Sequence, residues 1–214
     1  MEPRELAAQL RCPAGSAAPK VARQMNEANG NLNRKCIDML RLQAGDSVLE
    51  IGPGNGAFAP DIVAAADAVS YTGIDLSEDM VREAQRHNQD LVSARRARFR
   101  QGSSDQLPFP DATFDKILTV HTLYFWEQPA DHIDEIRRVL RPCGLFCLGF
   151  ADREFMRNLP FATFGFKLYG AADAESMLTA CRFRIVDRAM FREHGRSNTG
   201  EIVDKRIHVF LCTA

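Results

Sequence analysis

The residues with the clearest chemical potential form the run Glu50-Ile51-Gly52-Pro53-Gly54-Asn55-Gly56. Glycines in this density let a backbone turn sharply and approach a ligand closely. Where such a turn opens a helix, the free N–H groups favour a carboxylate or phosphate. Asp75 follows 23 positions after Gly52, the distance at which the next strand of an alternating fold ends. A carboxylate there can accept hydrogen bonds from ribose hydroxyls. The same spacing also fits a dinucleotide fingerprint, with Ala57 as the third small residue. Three features tilt the choice away from a nicotinamide oxidoreductase, NAD(P) remaining the alternative ligand. Glu50 is acidic where a dinucleotide strand is apolar, the chain has no room for a separate substrate domain, and no Tyr-x-x-x-Lys pair follows Tyr71, Tyr124 or Tyr169.

These residues need a scaffold, and the periodicity supplies one. Asp46–Ile51 reads as a buried strand, Ala57–Ala66 as a helix with Pro60 in its first turn, and Val69–Asp75 as a second strand. Ser77 has the form of an N-cap for a helix whose first turn holds Glu78 and Asp79. Met80, Val81, Ala84 and Leu91 form its apolar stripe, and Glu78 with Arg82 its i,i+4 pair. Further strands are expected at Ala97–Gln101, Phe114–Val120 and Leu145–Phe150, with a helix over Pro129–Leu140 stopped by Pro142-Cys143-Gly144. A helix over Ala171–Cys181, a strand at Phe183–Val186 and a last strand at Ile207–Cys212 complete the pattern. Alternation of this kind predicts an α/β domain with a parallel sheet covered by helices on both faces. The polar stretch Arg188–Arg206 joins the last two strands without a helix, which predicts an antiparallel pair at the sheet edge. Residues 1–40 read as an N-terminal appendage able to serve as a substrate lid, and 41–214 as the catalytic domain.

Four segments together resemble the class I S-adenosylmethionine-dependent methyltransferases. Within that class they are most similar to the small-molecule group of ubiquinone and menaquinone biosynthesis enzymes (methyltransferase type 11). They are Val48-Leu49-Glu50-Ile51-Gly52-Pro53-Gly54-Asn55-Gly56, Gly73-Ile74-Asp75-Leu76-Ser77, Leu107-Pro108-Phe109-Pro110-Asp111-Ala112-Thr113-Phe114-Asp115 and Leu140-Arg141-Pro142-Cys143-Gly144. They stand in the family's order and spacing over residues 46–150. The resemblance implies a Rossmann-like seven-stranded sheet of order 3-2-1-4-5-7-6 with strand 7 antiparallel. It also implies S-adenosylmethionine as cofactor, with S-adenosylhomocysteine as product. By position, Gly52, Gly54 and Gly56 would wrap the methionine moiety, Glu50 would orient its ammonium, and Asp75 would hold the ribose. Leu76 and Met80 would pack on the adenine, and Val120 would line the cofactor site. The pattern departs at the end of the third strand. Relatives carry Asp directly after the glycine, whereas Gly102 is followed by Ser103 and Ser104, with Asp105 two positions late. Either Ser103 would make a neutral adenine contact, about 1 kcal/mol weaker, or Asp105 would reach back.

Methyl transfer is an in-line displacement to an O, N or C nucleophile, and a general base is optional. His121, just past the fourth strand, is the candidate base; lining of the cofactor pocket is the competing role. Tyr124 and Trp126 are candidate acceptor contacts, as are Phe161 and Phe164 in the aromatic insert between Phe155 and Tyr169. Arg153, Arg157 and Lys167 could meet an acidic acceptor, and His87, His132, His194 and His208 read as solvated or structural. A methyltransferase-like protein that binds without catalysis is the alternative from another class.

Composition narrows the partners. With 27 Lys and Arg against 28 Asp and Glu, the net charge of −1 gives no electrostatic case for nucleic acid. The Asn/Asp-Pro-Pro-Tyr/Phe motif of amine methylation is absent as well. No apolar run reaches membrane-spanning length, and Met1-Glu2-Pro3-Arg4-Glu5 lacks the features of a secretory signal. The expectation is a cytoplasmic enzyme, monomer or homodimer, acting on a small molecule. Six scattered cysteines at 12, 36, 143, 147, 181 and 212 show neither zinc-ligand spacing nor a disulfide framework, so no metal is expected and the thiols are read as reduced.

Overall fold

Short runs rich in Val, Ile, Leu and Phe, each closed by glycine or a helix cap, build the centre of the molecule. The computed structural model describes residues 1–214. Strands β1 (Ser47–Ile51), β2 (Ser70–Asp75), β3 (Ala97–Gln101), β4 (Phe114–Val120) and β5 (Leu140–Ala151) are parallel. With β6 (Arg184–Arg196) and β7 (Ile202–Thr213) they form one sheet of order β3-β2-β1-β4-β5-β7-β6, in which β7 is antiparallel to both neighbours. This is the strand order implied by the family resemblance.

Eight helices surround the sheet: α1 (Pro3–Arg11), α2 (Ala18–Leu40), α3 (Ala59–Ala64), α4 (Glu78–His87), α5 (Gln89–Ser93), α6 (Pro129–Val139), α7 (Arg153–Met156) and α8 (Ala171–Ala180). Local chemistry sets their ends as the sequence suggests. Pro60 lies in the first turn of α3. Ser77 caps α4 by accepting from the Met80 N–H at 3.1 Å, and Arg82 pairs with Glu78 at 2.8 Å. Leu91 falls in the separate helix α5, because Asn88 ends α4.

Three features differ from the sequence reading. β5 starts at Leu140, not Leu145: Leu140 already pairs with Phe114, and the register shifts across Arg141–Gly144, where Cys143 has φ +64°. The polar stretch Arg188–Arg206 is mostly strand rather than linker. Strands β6 and β7 pair continuously from Arg184↔Thr213 to Arg196↔Ile202, turning only over residues 197–201. Alternating partly buried and exposed residues along β6 suit a ribbon wetted on one side, which a search for apolar runs passes over.

The third difference concerns residues 1–40. The asparagine-rich stretch Asn26–Asn33 lies inside α2, a helix of 23 residues. Its second half belongs to the main core: Leu32, Cys36, Ile37 and Leu40 are buried with the sheet residues. The helix comes so close to β5 that a Cβ on Gly149 would stand 2.6 Å from Cys36 Sγ. The core therefore runs across the boundary that composition suggests at residue 40.

Candidate active site

The carboxyl ends of the parallel strands open into one cavity of about 470 Å³. Sheets of this order bind ligands at such an edge, where the strand order reverses on either side of β1. At the end of β1, Gly52 has φ +73°, and a Cβ there would meet Thr122 Cγ2 at 2.5 Å. Only glycine combines that backbone with that approach. The loop is locked to β2, because the Gly54 N–H donates to Asp75 Oδ2 at 2.9 Å. Asp75 Oδ1 accepts from the Ser77 N–H, also at 2.9 Å, leaving lone pairs of both oxygens for a ligand.

Both acidic residues of this half are buried, Glu50 being 3% exposed. Burial raises the Glu50 carboxyl to about 7, the Tyr71 hydroxyl opposes the rise, and nearby Asp75 adds to it. That hydroxyl donates to Glu50 Oε2 at 2.6 Å. Burial likewise pushes Asp75 up to about 6, against its two backbone N–H donors. Two buried carboxylates without a cation between them suit a ligand that brings positive charge and hydroxyl donors. Leu76 stays 45% exposed on the cavity wall, an apolar side chain open to a flat ligand face.

Ser103, Ser104 and Asp105 line the wall beyond β3. Ser104 Oγ hydrogen-bonds His132 Nδ1 at 2.7 Å, and the His132 ring stacks on Trp126 with centroids 4.9 Å apart. His132, read from sequence as solvated or structural, is buried and forms part of this wall. Trp126 thus stands beside the serine pair rather than with the aromatic insert.

At the end of β4, His121 takes the left-handed conformation (φ +61°), uncommon for a residue with a Cβ. Its Nδ1 lies 3.0 Å from Tyr124 Oη, which also accepts from the Ala151 N–H at 2.6 Å. Burial, and secondarily the charge of Lys205, lower His121 to about 3. Val120, Tyr124 and Phe161 also face the cavity, joined by Phe125, Phe155, Met156, Leu159 and Phe166.

Three residues expected at the site lie elsewhere. Met80 is buried against Ala18 and Ala22. Gly56 stands behind the loop against Asn88, Phe99 and Ala84, and Phe164 points to solvent. Arg153, Arg157 and Lys167 are engaged with Asp173, Glu154 and the Glu127 carbonyl. The cations that do reach the cavity are Arg11 and Lys205, the latter left by sequence reasoning in the final polar connection. His208, also read as solvated or structural, is buried and pairs with Asp152 at 2.8 Å.

Comparison with known proteins agrees with this geometry. Residues 49–148 match a family model described as a methyltransferase domain. The chain is 32% identical over 130 residues to YdaC, an uncharacterized methyltransferase of Bacillus subtilis, covering 61% of this chain and 70% of that one. The chain belongs to the class I S-adenosylmethionine-dependent methyltransferases. It is also 36% identical over 125 residues to the 27-O-demethylrifamycin SV methyltransferase of Amycolatopsis mediterranei. That match covers 58% of this chain and 46% of the relative, so the chain spans less than half of that protein's length. Among solved structures, an S-adenosylmethionine-dependent methyltransferase from Aquifex aeolicus superposes with a TM-score of 0.69 at 16% identity, covering 99% of this chain and 98% of that one. The fold is thus shared over the full methyltransferase chain. No helix is long and apolar enough to cross a membrane.

Proposed function

We propose that this protein methylates a small, largely apolar molecule on an oxygen, using S-adenosylmethionine. The observation that carries the reading is the continuity of the cavity. One half is built of the glycine loop, Glu50, Asp75, Leu76 and the Ser103–Ser104 wall, and the other is aromatic. Glu50 takes the ammonium of the cofactor, Asp75 its ribose hydroxyls, Leu76 an adenine face, and Ser103 with Ser104 the adenine edge. These residues fit the group, since its positive charges would relieve two buried carboxylates. When bound, S-adenosylmethionine supplies a methyl on a positively charged sulfur, so the protein must chiefly align the acceptor and exclude water.

Val120 and His121 stand between the two halves. His121 serves as a neutral hydrogen-bonding group, since one ring nitrogen already pairs with Tyr124. Residues from α1 and α2, among them Leu10, Met25 and Asn29, also wall the cavity, Met25 lying over Gly54 and Asn26 donating to Asn55 Oδ1 at 3.0 Å. The N-terminal helices thus act as the cavity's cover. The relative named for 27-O-demethylrifamycin SV supports an oxygen target. The protein works in the cytoplasm as a monomer or homodimer.

Calorimetric titration with S-adenosylmethionine, with NAD in a parallel cell, tests the cofactor. Binding of the first alone is expected, and no binding would overturn the reading. Incubation of a metabolite extract with methyl-labelled cofactor then tests transfer. Label in an organic-soluble product is the expected result, and binding without labelled product would leave a ligand-binding protein.

A further inference from the structure

The hairpin of β6 and β7 is longer than the sheet that carries it. β5 pairs with β7 only from Ile207 to Cys212, whereas β6 continues beside β7 as far as Ile202. Residues 192–206 therefore leave the sheet as a two-stranded arm beyond the carboxyl end of β5, on the cavity side. Ser197, Asn198 and Lys205 of this arm line the cavity. Arg11, the other Lys or Arg on the wall, pairs with Glu127 at the surface. The Lys205 side chain is only 6% exposed. Its ammonium donates to the Ala28 carbonyl of α2 and to Glu193 Oε1 at 3.3 Å, which uses two of its three N–H groups.

Burying an ammonium is costly, and a neutral donor would tie the arm to α2 at less expense. Lys205 lines the same cavity as His121 and the aromatic wall, and its charge is felt at His121. Phe166 packs on Phe125 and Phe161 there, with centroids at 4.7 and 5.4 Å. Asn198 Oδ1 on the same wall is buried without a hydrogen bond. A carboxylate is served best by the forked donors of arginine, whereas a single ammonium suits an anion whose charge sits on one oxygen. The aromatic wall favours a ring next to that oxygen.

We propose that Lys205 is the acceptor-binding cation, holding the ionised oxygen of an aromatic hydroxyl compound whose ring lies against Phe125, Phe161 and Phe166. This rests on the proposed methyltransferase function and narrows its acceptor to the phenol class. Binding moves the phenol toward its anion, and the proton leaves to the buffer. His121, held neutral, need not remove it. The charged or titratable neighbours of Lys205 are Glu193 from β6 and His121 from β4, while α2 contributes a carbonyl. An opposite charge at this range lowers an acid's pKa by about 1–3 units.

The test uses 4-nitrophenol, whose anion alone absorbs in the visible, titrated against the full chain with and without S-adenosylhomocysteine. Bound probe should ionise at least one pH unit below free probe. Lys205→Met should abolish that shift and weaken binding of the anion at least tenfold, and Lys205→Arg should keep most of both. Glu193→Gln removes the neutralising carboxylate and should tighten anion binding, a gain that misfolding cannot imitate. Equal ionisation in the wild type and Lys205→Met, or no saturable probe binding to the wild type, would overturn the proposal. If Lys205→Met also loses S-adenosylhomocysteine, Glu193→Gln decides: tighter binding supports the proposal, and unchanged binding overturns it. A wild type that takes the nitrophenolate but not S-adenosylhomocysteine would sink the methyltransferase reading while leaving the anion site intact.

Discussion

Single residues in the cavity carry opposing demands of stability and binding. Asp75 is braced by two backbone donors yet stripped of water, so it is poised to gain from a ligand's hydroxyls. Asp75→Asn should weaken S-adenosylhomocysteine by the value of a charge-assisted hydrogen bond, about 1.5–3 kcal/mol or roughly 10- to 150-fold, read by calorimetry. Glu50 shows the conflict more sharply. Its folded-state value near 7 exceeds the ordinary 4.5, so the folded protein holds this proton more tightly than the unfolded chain. That contribution is fully present below pH 4.5 and is lost as the pH rises through 7. In the free protein Glu50→Gln should therefore gain stability relative to the wild type between pH 5 and pH 8, by a few kcal/mol, in thermal unfolding. The same variant should bind S-adenosylmethionine more weakly. Stability and affinity moving together would show that Glu50 does not face the ammonium. Both residues were legible in the sequence because a short glycine loop and one strand end fix their places. His132 and Lys205 were not, since nothing within a few residues of either reveals that they reach the cavity.

Among the elements, α2 has the most unexpected role. Composition presents residues 26–33 as polar and loop-like, and helix propensity there is poor. The helix forms because one face is covered: Leu32, Cys36, Ile37 and Leu40 join the core, while Ser77 Oγ donates to the Pro13 carbonyl and Asp79 Oδ2 accepts from the Gly15 N–H to hold the preceding turn. Deleting residues 1–40 should abolish cooperative unfolding, whereas a detachable cover would leave the transition in place. Leu40→Ala should cost about 2–5 kcal/mol in urea denaturation, as for a fully buried leucine. Gly149→Ala would drive a methyl into Cys36 and should cost about 1–3 kcal/mol. The strands show the reverse case. β3 and β4 have the residue limits read from sequence, because a short apolar run bounded by turns has few alternatives.

At the scale of the molecule, the cavity is assembled from parts that are remote in sequence. The strand ends, the N-terminal helices, the aromatic insert and the β6–β7 arm all contribute to its wall. Shortening the arm by joining Arg192 to Arg206 through a two-residue turn should leave S-adenosylhomocysteine affinity within about threefold and remove acceptor binding. Loss of both in calorimetry would mean that the arm supports the whole site. The sequence alone determined the alternation of strands and helices, the glycine loop and the carboxylates on either side of it, because each is written in local periodicity, caps and glycine spacing, while the strand order followed from the resemblance of four segments to a known family. The tertiary structure decided which apolar and charged residues share the acceptor half. The contact between Lys205 and Ala28 spans 177 positions, and a meeting at that separation is fixed by packing and topology, which no local pattern encodes.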